Sequence, residues 1–392
     1  MGGMNRRPLR IAVAPDSFKG TLSAAQAASA ISEGLSRSLP PGSVFLQVPM
    51  ADGGEGTVDA WLAATGAERV LCDAEDPLGR PLRAAYGWRA QDATAVLELA
   101  SASGLPLLAP GERDPGLAST FGTGLVLRDA LARGARRIVL GLGGSATTDG
   151  GAGLAQALGV RLADADGAPV GRGGLALARV ASVDPAPARA LLAGVRLEAA
   201  CDVDNPLCGP QGAAAVYGPQ KCSPDLLADP ARLAALLGAL DGALGALARA
   251  TAAATGRDLS GSPGAGAAGG AGFAVTALLG GRLTSGARLV ASAARLADRV
   301  LSCDWVVTGE GRIDGQTLRG KTPSAVAETA AAAGVPVAYV CGQAAPDAGD
   351  LGGAPLRAAS EDGRVPATPE EAAARLADAA ERLGRDLLAA KA

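Results

Sequence analysis

Reactive side chains concentrate in a few loops. Residues 302–323 place Glu310, Arg312, Asp314, Arg319 and Lys321 between the apolar run Trp305-Val306-Val307 and an Ala-rich segment opened by Thr322-Pro323. A buried strand thus delivers carboxylates, guanidinium groups and an ammonium to a helix N-terminus, where free backbone N–H groups attract anions. Thr322 is expected as the N-cap and Pro323 at the first helical position. The charge set suits phosphate and Mg²⁺; a solvated, salt-bridged loop is the plainer alternative. Residues 315–322 also spell G-x-x-x-x-G-K-T, the phosphate-loop pattern. A true phosphate loop starts directly after its strand, whereas Gly315 comes eight residues after Val307, so that fold is not expected here.

Four further loops have comparable chemistry. Pro15-Asp16-Ser17-Phe18-Lys19-Gly20 offers a carboxylate and a lysine after a strand at residues 9–14. Asp52-Gly53-Gly54-Glu55-Gly56 surrounds two carboxylates with glycines, and such a pair suits Mg²⁺, which keeps most of its waters. Gly143-Gly144-Ser145-Ala146-Thr147-Thr148-Asp149-Gly150-Gly151 mixes glycines, hydroxyls and one carboxylate. Its backbone N–H groups can wrap phosphate oxygens. Asp202-Val203-Asp204-Asn205 ends another strand and suits Mg²⁺ or a substrate hydroxyl, or simply a turn. Lys221 adds a possible anion contact.

Composition removes whole classes of chemistry. The 392 residues contain no histidine, which excludes Ser-His-Asp catalysis, His-ligated zinc and imidazole acid–base work. A general base must then be a carboxylate, Lys, Cys or Tyr. Only four of the 36 basic residues are lysines: Lys19, Lys221, Lys321 and Lys391. In a chain this rich in Ala, Gly and Arg, the surviving lysines are candidates for work that Arg cannot do. A net charge of −3 with 3% aromatics leaves no footprint for nucleic acid. Six dispersed cysteines without C-x-x-C fit a reducing cytoplasm. No 18-residue apolar run without charges points to a membrane span.

The elements that must position these loops alternate strand and helix, the α/β pattern. Strands are expected at residues 9–14, 44–48, 70–72, 82–88, 95–99, 137–142, 197–200 and 335–340. Helices are expected from Ser23 to about 38, then near 58–64, 120–133, 152–158, 224–253, 273–280, 285–298, 323–333 and 368–391. Residues 68–100 read as the start of a second domain with a mixed sheet. Ser262–Gly272 is uncharged and glycine-rich, a hinge or a loop touching ligand through its backbone. Residues 343–366 carry only weak patterning. G-x-G-x-x-G is missing between the first strand and helix, which argues against a Rossmann dehydrogenase.

Taken together, Ala14-Pro-Asp-Ser-Phe-Lys-Gly20, Ala51-Asp-Gly-Gly-Glu-Gly-Thr57, residues 143–151, Cys201-Asp-Val-Asp-Asn-Pro-Leu207, Pro263-Gly-Ala-Gly-Ala-Ala-Gly-Gly270, Thr308-Gly-Glu-Gly-Arg-Ile-Asp314 and Gly320-Lys-Thr-Pro323 resemble the bacterial glycerate kinase family, 2-phosphoglycerate-forming type. The resemblance runs in order from about residue 8 to about 342. It implies phosphoryl transfer from ATP to D-glycerate. It also implies two α/β domains with a cleft between them: residues 1–67 and 285–392 with a largely parallel sheet, and an inserted mixed-sheet domain at 68–284. A monomer or homodimer without nucleic-acid or membrane partners is expected.

Phosphoryl transfer asks for positioning and charge neutralisation. The expected roles follow. Asp16, Ser17, Lys19 and Arg312 bind glycerate. Gly53, Gly54, Gly143, Gly144, Ser145, Thr148, Asp149, Lys321 and Thr322 hold the nucleotide phosphates, Asp149 by ordering its loop around the ligand. Asp52, Asp202 and Glu310 are the metal partners. Lys19 and Lys321 stabilise developing charge, and a carboxylate accepts the hydroxyl proton, Asp202 first and Asp314 second. A kinase for another small hydroxy acid, phosphorylation at O3, and a non-enzymatic ligand sensor remain alternatives.

Overall fold

The computed structural model describes residues 7–18, 20–54, 56–314, 321–345, 351, 353–361 and 363–390. In chain order the strands of its two main sheets are β1 (Arg10–Val13), β2 (Val44–Gln47), β3 (Glu68–Glu75), β4 (Pro81–Arg89), β5 (Thr94–Glu98), β6 (Arg137–Gly141), β7 (Arg196–Ala200), β8 (Arg282–Thr284), β9 (Trp305–Thr308), β10 (Val337–Cys341) and β11 (Leu356–Ala358). The chain divides into two compact units. One holds residues 1–52, 59–67 and 285–392, the other residues 53–58 and 68–284.

The first unit is built on a sheet of order β11-β10-β9-β1-β2. Every neighbouring pair is parallel. Strands in such a sheet are covered on both faces, so they read as continuous apolar runs; Ile11, Ala12, Val13, Val306 and Val307 are all fully buried. Ser23 starts the helix Ala24–Ser38 with a capping box, its hydroxyl accepting from Gln26 N–H and its own N–H donating to the Gln26 side chain. This helix and the last one, Pro369–Ala390, pack into the core with Ile11, Val13 and Val307. The weakly patterned stretch after residue 343 contains β11. Three residues are too few for a readable alternation, which is why no strand was expected there.

The second unit carries a mixed sheet, β8-β7-β6-β5-β4-β3. It is parallel from β8 to β5 and antiparallel from β5 to β3. The helix expected over 224–253 is two helices, Pro224–Leu227 and Pro230–Thr255. Asp229 interrupts them: its carboxylate accepts from Arg232 N–H at 3.1 Å, and Pro230 supplies no donor. The longer helix is apolar enough by composition to cross a membrane; here its Leu240, Leu244 and Leu247 are buried in the core. The expected helix over 285–298 is likewise split, with Arg295 in the left-handed region at φ 55° between Gly286–Ala293 and Leu296–Val300.

The glycine-rich stretch 262–272 is neither hinge nor exposed loop. It packs backbone to backbone against the loop 147–151. Gly150 N–H donates to Gly269 O at 2.9 Å. A Cβ on Gly269 would sit 1.9 Å from Thr147 O. Close approach requires glycine here, and the stretch is largely buried.

Candidate active site

In the first unit, β1 pairs with β2 on one side and β9 on the other, and β10 and β11 continue outward from β9. Sheet growth therefore reverses between β1 and β9. In open parallel sheets, ligands bind beyond the strand C-termini at such a switch point. Asp16 and Ser17 follow β1, and Glu310, Arg312 and Asp314 follow β9. They line one pocket of about 360 Å³ together with Asp52 and Lys321. Seven residues singled out from the sequence are thus brought together from loops up to 305 positions apart, Asp16 to Lys321.

Backbone and side-chain contacts fix this corner. Ala14 N–H donates to Val307 O at 2.7 Å, and Thr308 Oγ1 donates to Ala14 O at 2.8 Å. Asp16 N–H then donates to Gly309 O at 2.8 Å. The Asp16 carboxylate, itself buried, accepts from Ser17 N–H and from the Thr322 hydroxyl. That bond ties the β1 loop to the start of the helix Thr322–Ala332. Gly309 lies so close to β10 that a Cβ would stand 1.6 Å from Val340 O. Lys321 Nζ stands 3.7 Å from Asp314 Oδ1, and both side chains are partly exposed. At that distance and exposure the pair is weak and screened, so the ammonium can serve an incoming anion.

Thr322 departs from its expected place. Lys321 takes the N-cap position of the helix, and Thr322 is the first helical residue, fully buried, with its hydroxyl given to Asp16. Its side chain orders Asp16 and has no exposed surface to offer a ligand. Lys19, Glu55 and residues 315–320 lie outside the described residues.

The second unit holds the other glycine loops. Gly53 and Gly144 both adopt positive φ, 88° and 72°. The Gly53 carbonyl lies against Gly141, the last residue of β6, and the loop 143–151 leaves that same strand end. Gly54 stands one residue on, and Val58 N–H donates to the Glu98 carboxylate at 2.7 Å. Gly144 is exposed and Gly143 partly so, which leaves their backbone open to a ligand. Thr148 and Asp149 correct the phosphate-binding expectation: neither has any exposed surface. The Asp149 carboxylate accepts from Thr120 N–H at 2.8 Å, Thr120 Oγ1 at 2.9 Å, and Gly151 and Gly153 N–H. Burial pushes its pKa up, opposed by these hydrogen bonds. Asp149 orders the loop from within.

Lys221, expected as an anion contact, lies beneath the same loop. It is 1% exposed, and its amine donates to Ser145 Oγ at 2.9 Å and Thr147 O at 2.6 Å. Burial lowers its pKa to about 7, with the Asp149 charge opposing the shift. Ser145 is thereby engaged and buried. Asp202 follows β7 and is exposed. Its neighbour Asn205 donates to Gln211 O and accepts from Tyr217 OH at 2.6 Å, which makes that stretch a braced turn.

Among the described residues no group of three or more His, Cys, Asp or Glu side chains is close enough to hold a metal. Asp52 and Glu310 line one pocket and Asp202 belongs to the other unit. Two carboxylates beside cationic groups fit a hydrated Mg²⁺, which needs few protein ligands. Sequence reasoning missed the pocket's remaining wall, with Gln343, Ala359, Ser360, Pro366 and Leu376. The available signal was the amphipathic repeat of the terminal helix, whose Leu376 and Leu383 face the core.

Comparison with known proteins decides the family. The model of the glycerate kinase family matches residues 11–390. The chain belongs to the glycerate kinase family. It is 46% identical over 332 residues to a glycerate kinase of Halalkalibacterium halodurans, covering 85% of each chain. It is 42% identical over 342 residues to the glycerate 2-kinase of Escherichia coli, covering 87% of each. A crystal structure of a Salmonella typhimurium LT2 protein, provisionally named glycerate kinase 2, superposes with a TM-score of 0.84 at 37% identity, over 98% of this chain and all of that one. The resemblance therefore does not stop near residue 342. The match runs to residue 390, and Gln343, Ala359, Ser360, Pro366 and Leu376 line the pocket.

Proposed function

We propose that the protein transfers the γ-phosphoryl group of ATP to D-glycerate, giving 2-phospho-D-glycerate. The observation that carries this reading is the pocket at the switch point of the first unit, where Asp16, Ser17, Asp52, Glu310, Arg312, Asp314 and Lys321 meet. Family membership supports the reaction class, and the relatives' names support glycerate as acceptor.

In this reading Arg312 grips the glycerate carboxylate bidentately, while Asp16 and Ser17 hold its hydroxyls. Lys321 neutralises phosphate oxygens as charge spreads over them. Backbone N–H groups of Gly53, Gly54, Gly143 and Gly144 receive the nucleotide phosphates. Asp52 and Glu310, which line one pocket, would hold Mg²⁺, and its charge would neutralise phosphate oxygens. A carboxylate takes the hydroxyl proton as the new P–O bond forms, Asp202 first and Asp314 second. Lys19 is retained as a second cation.

The test is ADP release by the purified protein with ATP, Mg²⁺ and a panel of hydroxy acids. ADP formation dependent on D-glycerate is the expected result. Release only with another hydroxy acid would move the substrate, and binding without turnover of any acid would favour a sensor.

A further inference from the structure

The pocket is wider than a three-carbon acid needs. Its acidic and cationic side chains come from the loops after β1 and β9 and from Lys321. Its other part is built at the C-terminal ends of β10 and β11 and by the last helix, from Gln343, Ala359, Ser360, Pro366 and Leu376. Strands in a sheet lie about 4.8 Å apart, so β11, three places from β1, stands roughly 14 Å away from it. A nucleoside triphosphate spans that distance, and glycerate does not.

This second part has the character of a base subsite. Ala359, Val365 and Pro366 supply apolar surface for a flat ring. Two polar groups stand among them. The Gln343 amide nitrogen donates to Gly363 O at 2.9 Å, which turns its carbonyl oxygen into the remaining acceptor. Ser360 is 6% exposed and held by its N–H to Gly342 O at 2.9 Å, and its hydroxyl has no hydrogen-bond partner among the described residues. A hydroxyl on the pocket wall can donate to or accept from an incoming ligand.

We propose that this part of the pocket binds the purine base of the nucleotide, with Gln343 and Ser360 reading its edge. The inference rests on the phosphoryl-transfer reading of the same pocket. With its oxygen turned to the base edge, Gln343 matches the exocyclic amine of adenine and opposes the carbonyl of guanine. The subsite therefore selects ATP over GTP, with the phosphate chain directed toward Lys321 and the acceptor held by the polar loops after β1 and β9.

Calorimetric titration with ADP, GDP and inorganic triphosphate tests this, on wild type, Gln343→Ala and Ser360→Ala, with thermal melts to verify folding. Wild type is expected to prefer ADP over GDP. Each variant should weaken ADP about five- to tenfold, the worth of one hydrogen bond. Gln343→Ala should also narrow the ADP/GDP ratio, and neither variant should move the KM for D-glycerate more than twofold or so. Gln343→Glu, which keeps the shape, is the fallback should the alanine variant melt early. Variants that bind ADP as wild type does, with the ratio unchanged, overturn the subsite and leave the kinase reading standing. Inorganic triphosphate binding as tightly as ADP does the same. A wild type that binds no adenine nucleotide overturns both.

Discussion

Replacing Lys221 by Met should make the protein's stability respond differently to pH. The amine is fully enclosed, and burial brings its pKa from 10.5 down to about 7. The unfolded chain keeps the proton up to about pH 10, whereas the folded chain gives it up near 7. Well below pH 7 the folded protein must bury an ammonium, at a cost of about 5 kcal/mol. That cost fades as pH rises towards 10.5, because the unfolded state binds more protons than the folded one across this window. Wild-type stability should therefore gain roughly 2 kcal/mol from this residue between pH 7 and 9. Met fills similar volume and carries no proton, so the gain disappears. It also leaves Thr147 O without its donor, a loss of about 1–3 kcal/mol at every pH. Urea unfolding of both chains at pH 7, 8 and 9, with matching m-values, isolates the difference. Wild type minus variant should grow by roughly 2 kcal/mol over that range. A difference flat to within about 0.5 kcal/mol would refute the claim that Lys221 releases its proton on folding.

Three further outcomes follow from the first unit and from the proposed chemistry. Gly309→Ala would force a methyl to 1.6 Å from Val340 O; a loss of about 3 kcal/mol or more is expected by thermal or urea melt, and a variant as stable as wild type would contradict the packing. Thr322→Val removes the hydroxyl that holds the buried Asp16 carboxylate. Stability should fall by about 2 kcal/mol, and kcat/KM by roughly tenfold if Asp16 holds glycerate. Asp202→Asn should leave the fold intact and lower kcat by at least about 100-fold, the scale of a lost general base; near-wild-type turnover would pass the role to Asp314, whose Asn variant then carries the loss.

Much of this was legible because strand and helix signals were strong where burial is complete. The strands around Ile11, Val139 and Val306 are continuous apolar runs, and Ser23 announced the first helix. The charged loops were legible for a different reason: with no histidine and four lysines, Glu310, Arg312, Asp314 and Lys321 stood out by type. What failed was the reading of side chains whose role depends on tertiary packing. Thr322, Asp149 and Lys221 look like ligand groups in one dimension. In three dimensions each is buried and serves another residue, Thr322 through Asp16, and Asp149 and Lys221 through the loop 145–151. Glycines 269 and 270 read as flexibility but meet a facing backbone. The wall formed by Gln343, Ser360 and Leu376 was hidden because β11 is three residues long and pairs with β10 across sequence that carries no period.

The central claim is a phosphoryl transfer to one hydroxyl of glycerate, and ³¹P NMR of the product made from ATP, Mg²⁺ and D-glycerate tests it most directly. The account predicts a single phosphate monoester coupled to the C2 proton, that of 2-phosphoglycerate. A 3-phosphoglycerate signal would contradict the regiochemistry, and a spectrum of ATP unchanged in the presence of D-glycerate would contradict the reaction itself.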